Sequence, residues 1–446
     1  MVFAICLAVY VATLAPGTIF GDPSEYQFIP AIWGIAHPPG YAFYTLLAGV
    51  WQRVVVIGSV AYRTNLLAAC AGAWTASRVT LMTLAVMEQR GAVRHRPQQR
   101  GAGPSERGAV RHRPQQRSDT SPYAEGRSPK RGEYESRARS WLYWLCAGLA
   151  GLAVGFGADL WQQSIHANAH IVSVALTATH LWLLVTWWAD GGPRERGHDW
   201  RLYLLAFLVG VGVTHHPITL FGLPAYLVFI LLCRPRIILE ARTVLLGVLC
   251  GFGGLLPWVY FPLRSPNAPF GPTDMATWDG FLRHATAQGL RVNLFYFGLI
   301  DQPDRLQVFV SLAKLQYGWI LLALVLLGLV WLLVESPRLG LLWVGFLAGH
   351  LVFTLNSVQD VMAYLLHAFV AMGLPLGLGV LAVARAVWNS RALGHLVCCG
   401  GRRAASGGTG SSVQRRRLGT ALVVPALALA LVAARTIRTL PRISLR

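Results

Sequence analysis

The sequence is short of charge. Only 13% of its 446 residues are Asp, Glu, Lys or Arg, about half the ~25% of an ordinary soluble domain. Acids are the scarcest, 19 against 39 basic residues, and lysine is almost absent, with Lys130 and Lys314 the whole supply. The seven cysteines (Cys6, Cys70, Cys146, Cys233, Cys250, Cys398, Cys399) lack metal-ligand spacing. Most lie in apolar runs, which makes them small core residues rather than a disulfide or zinc framework. Walker A, Rossmann and zinc-binding patterns are missing, which argues against nucleotide-driven chemistry. A hydrophobic fraction of 54% excludes disorder for most of the chain. The pI near 10.4 is not a nucleic-acid footprint, because the arginines are diluted in apolar sequence rather than gathered on a soluble surface.

What is present is long apolar segments. A helix needs ~20 such residues to cross a bilayer, and eleven segments qualify: 2–20, 64–87, 141–157, 169–189, 201–215, 217–233, 243–262, 307–334, 339–356, 361–385 and 418–434. The expected fold is an all-α polytopic membrane protein with about 11 transmembrane helices. Residues 1–20 have no basic n-region and no small-residue cleavage site, so they are expected to stay as a helix. Segment 41–58 carries Arg53 and is marginal in length, so it is expected to lie along the membrane surface.

Charge decides the sidedness. With 41–58 not spanning and the N-terminus cytoplasmic, the loops 88–140, 190–200, 234–242, 335–338 and 386–417, with the Arg at their edges, hold 27 of the 39 basic residues. The opposite loops at 21–63, 158–168, 263–306 and 357–360 hold six. That is the positive-inside pattern. Five parts follow: 1–87, with the first outer loop; a basic insertion at 88–140; a transmembrane core at 141–385; a basic linker at 386–417; and a last helix and tail at 418–446. In the insertion Arg90–Arg100 recurs as Arg107–Arg117, and its Arg, Pro, Gln and Ser content predicts disorder. Anionic lipids are expected partners of these basic loops, at about 1 kcal/mol per basic residue near the surface; an insertion grown by duplication is the plainer explanation. A bacterial plasma membrane is the expected location.

Polar residues of the outer side cluster at helix ends. Asp22 and Glu25 follow the first span and share a face if a helix starts there. Asp22 before Pro23 also suits a helix N-cap, against a general base acting on a hydroxyl. His37-Pro38-Pro39-Gly40-Tyr41 is a rigid turn that brings an imidazole to the same surface. Asp159, His166, Asn168 and His170 lie between two spans. His215 and His216 are adjacent, so they diverge on a helix and make a poor metal pair. Arg264 is a lone outer cation that can clamp a phosphate, and Asp360 with Tyr364 closes the set. Asp274, Asp279, Arg283 and His284 fall in the outer loop 263–306. A two-signed cavity of this kind suits a lipid-phosphate donor, with apolar grooves for its tail and a carboxylate for the acceptor. No metal site is indicated.

The run Gly21-Asp22-Pro23-Ser24-Glu25, then Ala36-His37-Pro38-Pro39-Gly40-Tyr41, resembles the signature of a polytopic family that includes the animal transmembrane protein O-mannosyltransferases and bacterial relatives. Weaker matches follow in order: Trp161 with Gln163, Gly212–Pro217, Pro262–Ser265, Pro269–Pro272 with His284, and Asp360 with Tyr364. The resemblance spans roughly 12–380 and departs from the family at Pro23-Ser24, at Ala42, and at Asn168-Ala169-His170 where relatives carry an acid. It implies a C-type glycosyltransferase fold with juxtamembrane helices in the first outer loop. It implies sugar taken from a polyprenyl-phosphate carrier, passed to a protein or other acceptor, without a cofactor. Asp22 is then the expected base and Glu25 a second acid or positioning group. His37, Tyr41, Asn168, His170, His215, His216, Arg264, Asp360 and Tyr364 are expected to bind substrate. The alternatives are a transporter or flippase of lipid-linked sugars, which a repeat of halves would favour, and a non-catalytic membrane protein.

Overall fold

The computed structural model describes residues 1–94, 131–192, 198–358, 361–389 and 410–443, and among these there is no strand. The helices in chain order are α1 (Val2–Ala12), α2 (Asp22–Ile32), α3 (Ala42–Val54), α4 (Val60–Arg94), α5 (Arg131–Gly155), α6 (Ala158–Ser164), α7 (Ala169–Ala189) and α8 (Trp200–His215). They continue as α9 (Leu223–Cys233), α10 (Ala241–Gly254), α11 (Tyr260–Arg264), α12 (Trp278–Ala285), α13 (Gln302–Glu335), α14 (Pro337–Asn356), α15 (Val361–Asn389) and α16 (Gly410–Ile443).

Among the described residues six helices are long and apolar enough to cross a bilayer: Ala169–Ala189, Ala241–Asn267, Leu299–Glu335, Pro337–Asn356, Met362–Asn389 and Leu422–Pro441. Ser140–Gly155 and Ala158–Ser164, bent by 65°, make a seventh if taken as one span. The protein is therefore multi-pass. The remaining expected spans are helices that are shorter or more polar. The apolar run from residue 2 is helical only to Ala12, about 17 Å of rise against a ~30 Å hydrocarbon core, because Pro16-Gly17 lies beyond it. Helix α4 is long, but Arg78 and several hydroxyls dilute its hydropathy.

The centre of the bundle is α15, with 89% of its span buried, and α7 is next at 78%. Helix α13 runs along α15 at glycine contacts. A Cβ on Gly328 would fall 1.7 Å from the Pro375 carbonyl oxygen, and one on Gly379 2.0 Å from that of Leu324. Small residues let two backbones meet where dispersion, not water, drives packing.

Two short helices, α2 and α3, sit between α1 and α4. At 13 residues α3 rises about 20 Å, which agrees with a segment that does not span. A buried polar network holds both helices. Asn65 of α4 accepts from Gln27 Nε2 and from the Ala167 N–H, each at 2.8 Å, and donates to the Ala15 carbonyl at 2.8 Å. Gln52 of α3 donates to the Gln27 carbonyl and to Thr64. Of the insertion expected to be disordered, residues 95–130 lie outside the described residues, and of the basic linker, residues 390–409 do. Their flanks are helical, through Arg94 and from Arg131 on one, through Asn389 and from Gly410 on the other.

Candidate active site

Helix α2 begins at Asp22. Gly21, at φ 89°, takes the N-cap position, Pro23 follows in the first turn, and no side chain caps the helix. Gly21 is suited to this backbone because it has no Cβ. Asp22 therefore does not cap, contrary to one of the two readings of its sequence. Its carboxylate is exposed and makes no hydrogen bond or ion pair among the described residues.

Glu25, one turn on, is fully used. Its Oε1 accepts the His37 backbone N–H at 2.7 Å and its Oε2 accepts His37 Nδ1–H at 2.6 Å. Burial opposes the Glu25 charge, but the hydrogen bonds from His37 outweigh it and hold the carboxyl below its usual range. The same bond holds the His37 imidazole above its usual range, against its own partial burial. With Nδ1 committed, Nε2 is the ring atom left for a ligand. The turn that presents His37 is fixed by backbone. Pro38-Pro39 is cis, Gly40 has φ 86° and Tyr41 φ 48°. A Cβ on Gly40 would lie 2.5 Å from the Phe261 ring, so only glycine fits. His284 of α12 donates from Nε2 to the Ala36 carbonyl at 3.0 Å and holds the turn from outside.

Tyr41 is the middle of a ring cluster. Its ring centroid is 5.4 Å from His37, 5.3 Å from Tyr26 and 5.7 Å from His216. His170, at the start of α7, lies 5.2 Å from His216 and 5.0 Å from Tyr364. His216 Nδ1 accepts the Ile218 N–H at 3.1 Å, so its ring hydrogen sits on Nε2 and donates to Tyr364 Oη at 3.2 Å.

Several of these groups line a cavity of about 300 Å³. Asp22, His37, Tyr41, His170, His216 and Tyr364 are in its polar lining, and Ile218, Leu220, Phe221, Leu290, Leu294 and Phe353 in its apolar lining. A hydroxylic group and a hydrocarbon chain can both be accommodated there. Asp22, Glu25 and His37 also bring one ligand-type atom each within 4.8 Å of one another, so a cation would have three candidate ligands, two of them already bonded to each other.

The sequence model described as "Protein O-mannosyl-transferase TMEM260 N-terminal domain" matches residues 22–110 and 120–237. Protein O-mannosyl-transferase TMEM260 of Mus musculus is 45% identical over 76 residues, which is 17% of this chain and 11% of the mouse protein. Over these residues the chain is similar to the protein O-mannosyltransferases. Two crystal structures of ArnT from Cupriavidus metallidurans, one bound to undecaprenyl phosphate and one apo, superpose with TM-scores of 0.54 and 0.51. Each is 14% identical over 99% of this chain, with 73% and 72% of the ArnT chains covered. That likeness shows the fold, an all-helical bundle arranged as in ArnT.

The O-mannosyltransferase-like match begins at Asp22 and takes in Glu25, His37, Tyr41, Asn168, His170, His215 and His216. Of the expected site residues, Asp22, His37, Tyr41, His170, His216 and Tyr364 line the cavity. Glu25 stands behind His37. Three others sit elsewhere. Asn168 is the N-cap of α7: its Oδ1 accepts the His170 N–H at 2.7 Å, and its amide bonds Gln163. His215 is buried below the cavity and donates from Nε2 to the Ala169 carbonyl at 2.8 Å. Arg264 donates from Nε to the Trp33 carbonyl at 2.7 Å, closing the C-terminal end of α2, and is not among the lining residues. Asp360 lies outside the described residues. The sequence reading missed the apolar lining at 218–221, 290–294 and Phe353, which has no motif, and Tyr26, whose aromatic ring at helical spacing from Asp22 was its only signal.

Proposed function

We propose that the chain is a membrane glycosyltransferase that moves a sugar, mannose in the first instance, from a polyprenyl-phosphate carrier to a hydroxyl of a protein acceptor. The observation that carries this reading is the unengaged Asp22 carboxylate in a cavity lined by both polar and apolar residues. Asp22 takes the proton of the acceptor hydroxyl as its oxygen attacks the anomeric carbon. The bond from that carbon to the phosphate oxygen breaks, and the polyprenyl phosphate leaves with the electron pair. Attack from the face opposite the leaving group inverts the anomeric centre. His37, whose charged form is favoured by its bond to Glu25, donates from Nε2 to the departing phosphate or the sugar. The apolar lining takes the first prenyl units. No cofactor is required in this scheme. The cavity faces the extracytoplasmic side, with the N-terminus and the basic loops in the cytoplasm.

The likeness to a protein named as an O-mannosyl-transferase and to a structure bound to undecaprenyl phosphate supports this reading. The test is incubation of the purified full chain with a polyprenyl-phosphate mannose and a Ser/Thr-rich peptide, read by mass spectrometry. A peptide heavier by one hexose, with free polyprenyl phosphate in equal amount, is expected. A donor left intact with every acceptor and sugar tried would overturn the proposal.

A further inference from the structure

Away from the active site, a second cavity of about 340 Å³ opens between α13 and α16. It is lined by Lys314, Arg435 and Arg438 together with the hydroxyl residues Ser311 and Thr439 and the side of Leu315. Three cations and two hydroxyls converge there without an acid in the lining. None of the three cations has a carboxylate partner among the described residues. This contrasts with Arg234, Arg201 and Arg283, each paired with Asp or Glu.

The backbone is shaped to bring them together. Helix α13 is interrupted at Gly318, which has φ 68° and ψ 164°. The break exposes the Leu315 carbonyl, which accepts from Arg435. A Cβ on Gly318 would sit 2.6 Å from the Arg435 guanidinium, so the close approach and the left-handed backbone both call for glycine. Lys314 is held over the Trp319 ring at 5.4 Å. Like charges gathered at a low-dielectric surface repel one another, and an anion among them removes that cost.

The height of the site names the anion. The unbroken apolar run of α13 starts at Trp319, just after Lys314, and that of α16 ends at Ala434, just before Arg435. The three cations therefore stand at the ends of two apolar stretches, at one leaflet's headgroup level. Below them Ile320 on α13 and Leu427 on α16 are 60% and 62% exposed, so hydrocarbon continues directly from the cationic mouth.

We propose that this cavity is a binding site for the phosphate headgroup of an anionic phospholipid, whose acyl chains run down the outer faces of α13 and α16. It is separate from the active site and shares none of its lining residues. The proposal does not depend on the glycosyltransferase reading.

The test uses the full chain in nanodiscs of phosphatidylcholine, titrated with a short-chain fluorescent phosphatidylglycerol. The variant Lys314→Gln/Arg438→Gln keeps Arg435 on the Leu315 carbonyl. A gel-filtration profile and an unfolding temperature matching wild type show that it folds. Removing two basic residues at the surface should weaken binding roughly 30-fold. Unchanged binding in the folded double variant would overturn the site. Inorganic phosphate and undecaprenyl phosphate serve as competitors. Displacement by millimolar inorganic phosphate alone would show an adventitious ion site and defeat the lipid assignment. Displacement by undecaprenyl phosphate at far lower concentration than by phosphatidylglycerol would assign the site to the carrier instead, and the phospholipid reading would fall.

Discussion

Asp22 and Glu25 stand one helical turn apart on α2 and have opposite fates. Both Glu25 oxygens accept from His37, whereas Asp22 is left for a ligand. The pair that results depends on pH in a definite sense. His37 is raised above its ordinary 6.5, so its share of the stability is fully present below that value and is lost as pH rises through the raised one. Glu25 is lowered below its ordinary 4.5, so its share is present above that value and is lost as pH falls through the lowered one. The unfolding temperature of Glu25→Gln should therefore trail wild type most between about pH 5 and 6.5, and the gap should narrow by pH 9. A gap of constant size across that range would show that the two groups are not coupled. The same geometry bears on metal. Because Glu25 is spent on His37, a chelator should leave sugar transfer unchanged; loss of transfer restored by a divalent cation would place an ion among Asp22, Glu25 and His37. At this scale much of the site was legible: acid spacing and the His-Pro-Pro-Gly turn located Asp22, Glu25 and His37. Arg264 was not legible, because only the folded chain brings the Trp33 carbonyl to its guanidinium. A lone outer arginine then reads as a phosphate ligand.

Helix ends decide how these residues are aimed. Asn168, where the resemblance led to the expectation of an acid, caps α7 with Oδ1. Replacing it by Ala should cost about 1 kcal/mol of stability. Asn168→Asp, which retains the cap oxygen, should unfold near the wild-type temperature. Equal losses for both variants would mean that the bond from the Asn168 amide to Gln163, rather than the cap, matters at this position. Helix positions were readable from apolar runs because a membrane helix is apolar over its length. Helix ends were less readable: the run at residue 2 looks long enough to span, yet helix α1 stops at Ala12. The break of α13 at Gly318 was invisible, since one glycine in an apolar run does not reveal that an arginine of α16 fills the gap.

Across the whole molecule, charge and chemistry separate. Two basic loops, 88–140 and 386–417 with its edge, hold 20 of the 39 basic residues, and the active-site cavity is lined by none. If those loops are cytoplasmic, a cysteine introduced as Ser118→Cys should resist a membrane-impermeant maleimide in intact cells, and one introduced as Thr273→Cys should react. The reverse pattern would invert the assigned sidedness. Fold class was legible from composition, because low charge and long apolar runs leave little but a helical bundle in lipid. The cavity was not, since its apolar lining comes from three separated segments that only the bundle brings together. Asp22 is the proposed base of a sugar transfer within this cavity. The most direct test of that role is the rate at which Asp22→Asn converts polyprenyl-phosphate mannose to mannosylated peptide, measured beside donor binding. Donor binding like that of wild type is expected, with transfer reduced at least 100-fold, within the range that positioned acid–base groups supply. Transfer by Asp22→Asn at the wild-type rate would contradict that role.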